Sequence, residues 1–153
     1  MQQGIDYIGL GVGGIIFNED GRIFASLRGK GVRNEPGTWE FPGGGVEFGE
    51  TAMQAIERET LEEFGMTVTA KESLGYIDFL LPEVGQHWVG LHFLCELTSG
   101  EGTICEPDKC EKIGWFSAEE LLTLDLSTPT KKLIANLEEK RSAPLTSIEI
   151  HTP

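Results

Sequence analysis

Apolar and polar positions along the chain fall into short runs separated by turn signals. Ile8–Phe17 (IGLGVGGIIF) is apolar and glycine-rich, the pattern of a buried strand. Asn18-Glu-Asp-Gly21 marks a turn, and Arg22–Leu27 alternates enough to return as a hairpin partner. Arg28–Gly37 is a polar loop. Gly43-Gly44-Gly45, following Trp39-Glu-Phe-Pro42, predicts irregular backbone. Thr51 with Gln54 forms a capping box and Gly65 a stop, so a helix is predicted between them. Its Ala52, Ala55, Ile56 and Thr60 share one side, suited to packing on a sheet. Met66–Leu81 is strand-like with a polar interruption, Pro82–Gly85 is a turn, and His87–Leu97 is another strand. Trp115 is expected in a further buried strand. Ser117 with Glu120 opens a short helix by the same box, and Thr128-Pro129 opens the last, which runs to about Lys140. Strands mixed with three separated helices predict an α/β (α+β) domain.

The length of 153 residues suits one domain, 1–153, with its core over about 5–140 and a flexible tail over 141–153. A hydrophobic content of 39% excludes a disordered chain. Twelve Lys/Arg against 25 Asp/Glu leave a net charge of −13. Affinity for nucleic acid or an anionic membrane comes from basic side chains, so neither is an expected partner. A small phosphate ligand held through cations remains open. No apolar run reaches the roughly 18 residues of a membrane span, and the first six residues, Met-Gln-Gln-Gly-Ile-Asp, lack the pattern of a secretory signal. Cys95, Cys105 and Cys110 form no CxxC pair, which reads as free thiols in a reducing compartment. A soluble, cytoplasmic protein is the expectation.

The informative chemistry lies in Gly44–Met66, GGVEFGETAMQAIERETLEEFGM. On the predicted helix, Glu59, Glu62 and Glu63 stand at i, i+3 and i+4, sharing a face. Stacked carboxylates repel, and near a helix C-terminus the dipole disfavours them further. A hard divalent cation is the natural compensation, since Mg²⁺ takes oxygen ligands and bridges carboxylates to phosphates. An acidic solvated face is the plainer account of the same three residues.

The spacing around those glutamates resembles the Nudix box, Gx5Ex7REUxEExGU, through Gly44, Glu50, Arg58-Glu59-Thr60, Glu62-Glu63 and Gly65-Met66. Thr60 is the one departure, standing where the family has a bulky aliphatic. The GTWEFPGG lead-in and the WFSAEEL segment after the box extend the likeness over roughly residues 5–140. The resemblance implies a Nudix α/β/α sandwich with a mixed β-sheet, hydrolysing phosphoanhydrides of nucleoside diphosphates linked to another group. It implies Mg²⁺, with Mn²⁺ as a substitute, held by Glu59, Glu62, Glu63 and the Gly44 carbonyl. Arg58 would orient the glutamates, paired with Glu50. The general base varies in the family between a box glutamate and one from a later loop, and Glu59 is favoured here. Arg28 and Lys30 would contact distal phosphates.

Cys105-Glu-Pro-Asp-Lys-Cys-Glu-Lys-Ile-Gly-Trp115 resembles the EPxKC region of small nucleotide triphosphate diphosphatases. On that likeness Glu106 is a further metal-facing carboxylate and Cys110 a packed thiol. His87 in QHWV is a candidate substrate contact, with a structural or exposed place its plainer account, and Trp39 and Phe41 are candidates for stacking on a base, core packing accounting equally for Phe41. His87 and His92, five apart on a strand, face opposite sides and cannot share an ion. The expected reaction is hydrolysis of a nucleoside triphosphate to NMP and pyrophosphate, with a homodimer as a possible assembly. The runner-up is an ADP-ribose or nucleotide-sugar pyrophosphatase, pointed to by Pro82, 16 residues after Met66. A non-catalytic Nudix-like sensor is disfavoured because the box is complete.

Overall fold

The computed structural model describes residues 1–148. A seven-stranded sheet holds β1 (Gly9–Phe17), β2 (Ile23–Arg28), β3 (Trp39–Glu40), β4 (Gly43–Gly45), β5 (Thr67–Leu81), β6 (Gln86–Ser99) and β7 (Cys110–Phe116). Helices α1 (Ala52–Phe64), α2 (Ala118–Leu122) and α3 (Thr128–Arg141) complete it. The main path runs β3-β2-β1-β6-β5, with β4 also on β1 and β7 on β2. The β1–β6 pair is parallel and the others are antiparallel, so the sheet is mixed, as expected.

Two apolar layers flank it. Val12, Ile16, Phe93 and Cys95 pack with Ile56, Phe64 and Met66 on the α1 side. Ile15, Phe17 and Leu94 pack with Leu121 of α2 and Leu133, Ile134 and Leu137 of α3 on the other. Alternation along β1 and β6 assigns side chains to these layers, giving an α/β/α sandwich.

Local chemistry fixes α1 as expected. Thr51 accepts from the Gln54 N–H while the Gln54 side chain accepts from the Thr51 N–H, and Gly65 closes the helix at φ 64°. Ala55, Ile56, Thr60 and Phe64 are its buried face. Thr60 is fully buried, and its hydroxyl donates to the Ile56 carbonyl at 2.8 Å. The box's one departure is thus accommodated without an unpaired polar atom. The Ser117–Glu120 capping box also forms.

Four expectations need correction. The hairpin exists only at its base, because β1 meets β2 at Phe17↔Ile23 alone. Over the rest of its length, β1 takes β6 in parallel, from Gly9↔Trp88 to Phe17↔Glu96. A strand apolar on both faces suits such a buried parallel pairing. Gly43–Gly45, expected to be irregular, forms β4 against Gly11–Gly13. Ladder bonds need no side chain, and a Cβ at Gly43 would lie 2.4 Å from the Val12 carbonyl oxygen. Helix α3 is capped by Ser127, one residue earlier than Thr128. The segment after Ser142 turns back and buries Leu145 among the α2 and α3 side chains. The remainder of the expected flexible tail, 149–153, lies outside the described residues. None of the described helices is long and apolar enough to cross a membrane. All three cysteines are free thiols, Cys95 and Cys110 buried and Cys105 exposed.

Candidate active site

Arg58 is the hub. Its Nε and Nη2 donate to the two Glu50 carboxylate oxygens at 3.0 and 2.7 Å, a two-pronged pair. Nη2 also donates to the Gly45 carbonyl at 2.9 Å, and Nη1 to Glu59 and Glu62 at 3.1 Å each. The guanidinium therefore ties the β4 end to two of the three stacked glutamates. Hydrogen bonds from Arg58, then from the Glu47 N–H, hold the Glu50 carboxyl down at about 2. Gly44 sits directly against Glu59: a Cβ there would fall 2.2 Å from the Glu59 carboxyl carbon. No larger residue fits without moving that carboxylate.

The C-terminus of α1 recruits a further acid. Thr103 and Cys105 donate their N–H groups to the otherwise unpaired carbonyls of Phe64 and Glu63, at 2.8 and 3.0 Å. This docking sets Glu106 beside the box. Burial, then the charges of Glu59, Glu106 and Glu40, push the Glu63 carboxyl up to about 8. Burial raises Glu59 as well, against the lowering effect of Arg58. Lys109 meets Glu106 at 3.0 Å, which raises the lysine. Negative charge here exceeds what the local cations neutralise. Among the described residues no three acidic, histidine or cysteine side chains already form a closed ligand set, and Arg58 engages Glu59 and Glu62.

Gly44 and Glu63 open into a cavity of about 460 Å³ between the sheet and the start of α3. Its polar lining includes Arg28, Glu40 and Lys109. Arg28 pairs with Glu40 at 2.6 Å, yet burial still raises the Glu40 carboxyl. Phe79, Trp88 and His92 also line the cavity, the imidazole lying over Gly13 and Gly90. A Cβ at Gly13 would come 2.8 Å from the His92 ring, so glycine makes room for the imidazole. His92 is 6% exposed, and burial pulls it down to about 4, keeping it neutral.

Of the residues singled out from sequence, the structure brings Gly44, Glu59, Glu63, Glu106, Arg58, Arg28 and Phe41 to this region. Glu62 lies at its exposed edge. Lys30 is exposed and does not line the cavity. Trp39 packs on Phe116, ring centroids 5.1 Å apart, also off the cavity. His87 lines a separate cleft with Ile5, Tyr7 and Pro82. Glu40, Phe79, Trp88 and Lys109 were not singled out, and His92 was weighed only as a metal partner of His87. Glu40 and Lys109 stood within the GTWEFPGG and EPxKC segments, and Trp88 beside His87 in QHWV.

Fold and site together define a class: an α/β/α sandwich whose loop–helix–loop presents arginine-braced glutamates to a nucleotide-sized cavity. The chain belongs to the Nudix family, the NUDIX domain matching residues 8–137. A nucleoside triphosphatase NudI of Salmonella schwarzengrund is 32% identical over 111 residues, covering 65% of this chain and 76% of that one. An RNA pyrophosphohydrolase of Legionella pneumophila is 40% identical over 78 residues, 48% of this chain. The chain spans only 42% of that relative's length. The crystal structure of a MutT Nudix hydrolase from Burkholderia pseudomallei shares 31% identity at TM-score 0.74, over 86% of this chain and 99% of that one.

Proposed function

We propose that this protein is a metal-dependent hydrolase that converts a nucleoside triphosphate to NMP and pyrophosphate by water attack on phosphorus. The observation that supports this most directly is the Arg58-braced glutamate face beside a cavity whose lining includes Phe79, Trp88 and His92. A phosphate chain on the glutamates then leaves its base to those rings. The likeness to a protein named a nucleoside triphosphatase agrees. A net charge of −13 supports a small nucleotide over a polyanion such as RNA.

The donor set suits a hard cation. Glu59, Glu62, Glu63, the Gly44 carbonyl and Glu106 are all oxygen donors, and burial, then the charges of Glu59, Glu106 and Glu40, lift Glu63. When bound there, Mg²⁺ (or Mn²⁺) would polarise the phosphoryl oxygens and lower the pKa of a coordinated water. The protein's own part is to orient and to accept a proton. Arg58 fixes Glu59 and Glu62, Gly44 lets Glu59 approach the β4 backbone, and Glu59 takes the proton of the attacking water. Arg28 and Lys109 face the phosphate chain.

The test is product analysis with NTPs, dNTPs and ADP-ribose in Mg²⁺ and ¹⁸O water. NMP and pyrophosphate are expected. Efficient cleavage of ADP-ribose with no triphosphate turned over would replace this substrate class by the nucleotide-sugar one. In the same assay, Glu63→Gln should lower turnover by roughly 10²–10⁴-fold, and near-normal activity would sink the site assignment.

A further inference from the structure

Strand β6 places an imidazole where its neighbours are apolar. On the face of the sheet toward α3, position 94 is leucine and packs in the core, while position 92 is histidine. His92 is almost fully buried, and its Nδ1 has no hydrogen-bond partner among the described residues. A buried polar atom without a partner destabilises a fold, and an apolar side chain of similar volume would avoid that cost. The ring does not stand in closed core. It lies edge-on to Phe79, centroids 6.1 Å apart, with its Nε2 over Gly13 and Gly90, where an added Cβ would come within 3.2 Å. Both glycines, Phe79 and Trp88 line the cavity. Phe79 and Trp88 are register partners on β5 and β6, so their side chains stand together on that face.

A neutral imidazole carries one N–H. An orphaned buried donor is rarer than an under-satisfied acceptor, so the proton belongs on Nε2 and Nδ1 is the bare acceptor. We infer that the His92 Nε2–H reads the base: it donates to an acceptor atom on the edge of a planar ring seated beside Phe79 and Trp88. Nδ1 stays sealed and unpaired; the Nε2–H makes no hydrogen bond among the described residues, and it is this donor whose partner arrives with the substrate. Glycine at 13 and 90 lets the imidazole itself lie against the sheet, and the two aromatics supply stacking that tolerates any base. The hydrogen bond supplies the discrimination. This rests on the nucleotide reading of the cavity, and it adds the residue that distinguishes one base from another.

The experiment separates the two. Calorimetric titration with AMP, GMP, CMP and UMP, and with ribose 5-phosphate as a base-free control, measures binding without turnover. His92→Leu should melt at or above the wild-type temperature, because an unpaired polar atom is gone. It should bind the preferred monophosphate about tenfold more weakly, leave ribose 5-phosphate unchanged, and narrow the spread among bases. His92→Gln, which keeps a donor near Nε2, should restore part of the loss. In the wild-type protein the Nε2 resonance of ¹⁵N-labelled His92 should shift on titration with the preferred monophosphate and stay put with ribose 5-phosphate, a readout independent of whether any variant folds. Unchanged affinity in His92→Leu, an equal loss for ribose 5-phosphate, or a silent Nε2 resonance overturns the inference. Base-dependent binding without triphosphate hydrolysis would fell the proposed reaction and leave the inference standing; no nucleotide binding by the wild type would fell both.

Discussion

Arg58 makes five donor contacts, to Glu50 twice, the Gly45 carbonyl, Glu59 and Glu62. Only a planar guanidinium can meet that set, since an ammonium is a compact point charge on a flexible stem. Arg58→Lys should therefore keep the local charge and lose the orientation. Turnover is expected to fall by about 100-fold, with KM changing less than about threefold, because alignment matters more in the transition state than in binding. Steady-state kinetics on the preferred nucleotide measures both. Full activity in the lysine variant would mean that charge alone matters. Gly44 is the complementary case, a residue defined by what it lacks. Gly44→Ala places a Cβ 2.2 Å from the Glu59 carboxyl carbon, so that carboxylate must swing away. Activity should drop at least about tenfold while the melting temperature moves by only a few degrees, since the displaced group is a side chain and not core. A loss of fold in place of activity would refute the assignment of Gly44 to the site.

At the scale of elements, the helices and most strands were legible and the strand pairing was not. Helix boundaries are written in local chemistry: Thr51 with Gln54, Ser117 with Glu120, and Gly65 are each within a few residues of what they cap. Thr51→Ala should accordingly cost about 1 kcal/mol in chemical denaturation. Strand pairing is decided elsewhere in the chain. Nothing near Arg22–Leu27 says that β7, 82 or more residues on, will fill one edge of β2 from Ile23↔Phe116 onward, while β3 takes the other beyond Phe17↔Ile23. The glycine triplet read as irregular because propensity describes isolated residues, whereas β4 exists through the approach of β1. The candidate site divides along the same line. The box was legible through its resemblance to the Nudix pattern, with helical spacing setting its carboxylates on one face. Phe79, Trp88 and His92 look like ordinary alternating strand residues, and only the β5–β6 register with the β1–β6 pairing assembles them. Glu106 is intermediate: its motif was visible, but its approach to Glu63 depends on N–H groups of Thr103 and Cys105 reaching the end of α1.

Across the whole molecule, the perturbed groups predict an unusual stability profile for the metal-free protein. Glu63 is lifted from 4.5 to about 8, so its contribution is fully present below 4.5 and is lost as pH rises through 8. His92 is depressed from 6.5 to about 4, so it binds a proton more readily unfolded than folded. Its contribution is present above 6.5 and is lost as pH falls through 4, amounting to about 3 kcal/mol. Glu50, held at about 2 by Arg58, loses its contribution below 4.5. Stability should thus rise from pH 8 to about 6.5, run nearly level to about 4.5 where Glu63 and His92 oppose each other, and fall below that. Adding Mg²⁺ should reshape only the alkaline limb. A cation that neutralises the glutamate face removes the repulsion that adds to burial in holding a proton on Glu63, so the decline toward pH 8 should shrink and the melting temperature there should rise. Thermal melts at half-unit pH steps, with Mg²⁺ and with EDTA, check this. An alkaline limb indifferent to Mg²⁺ would show that the glutamates of α1 do not hold the ion.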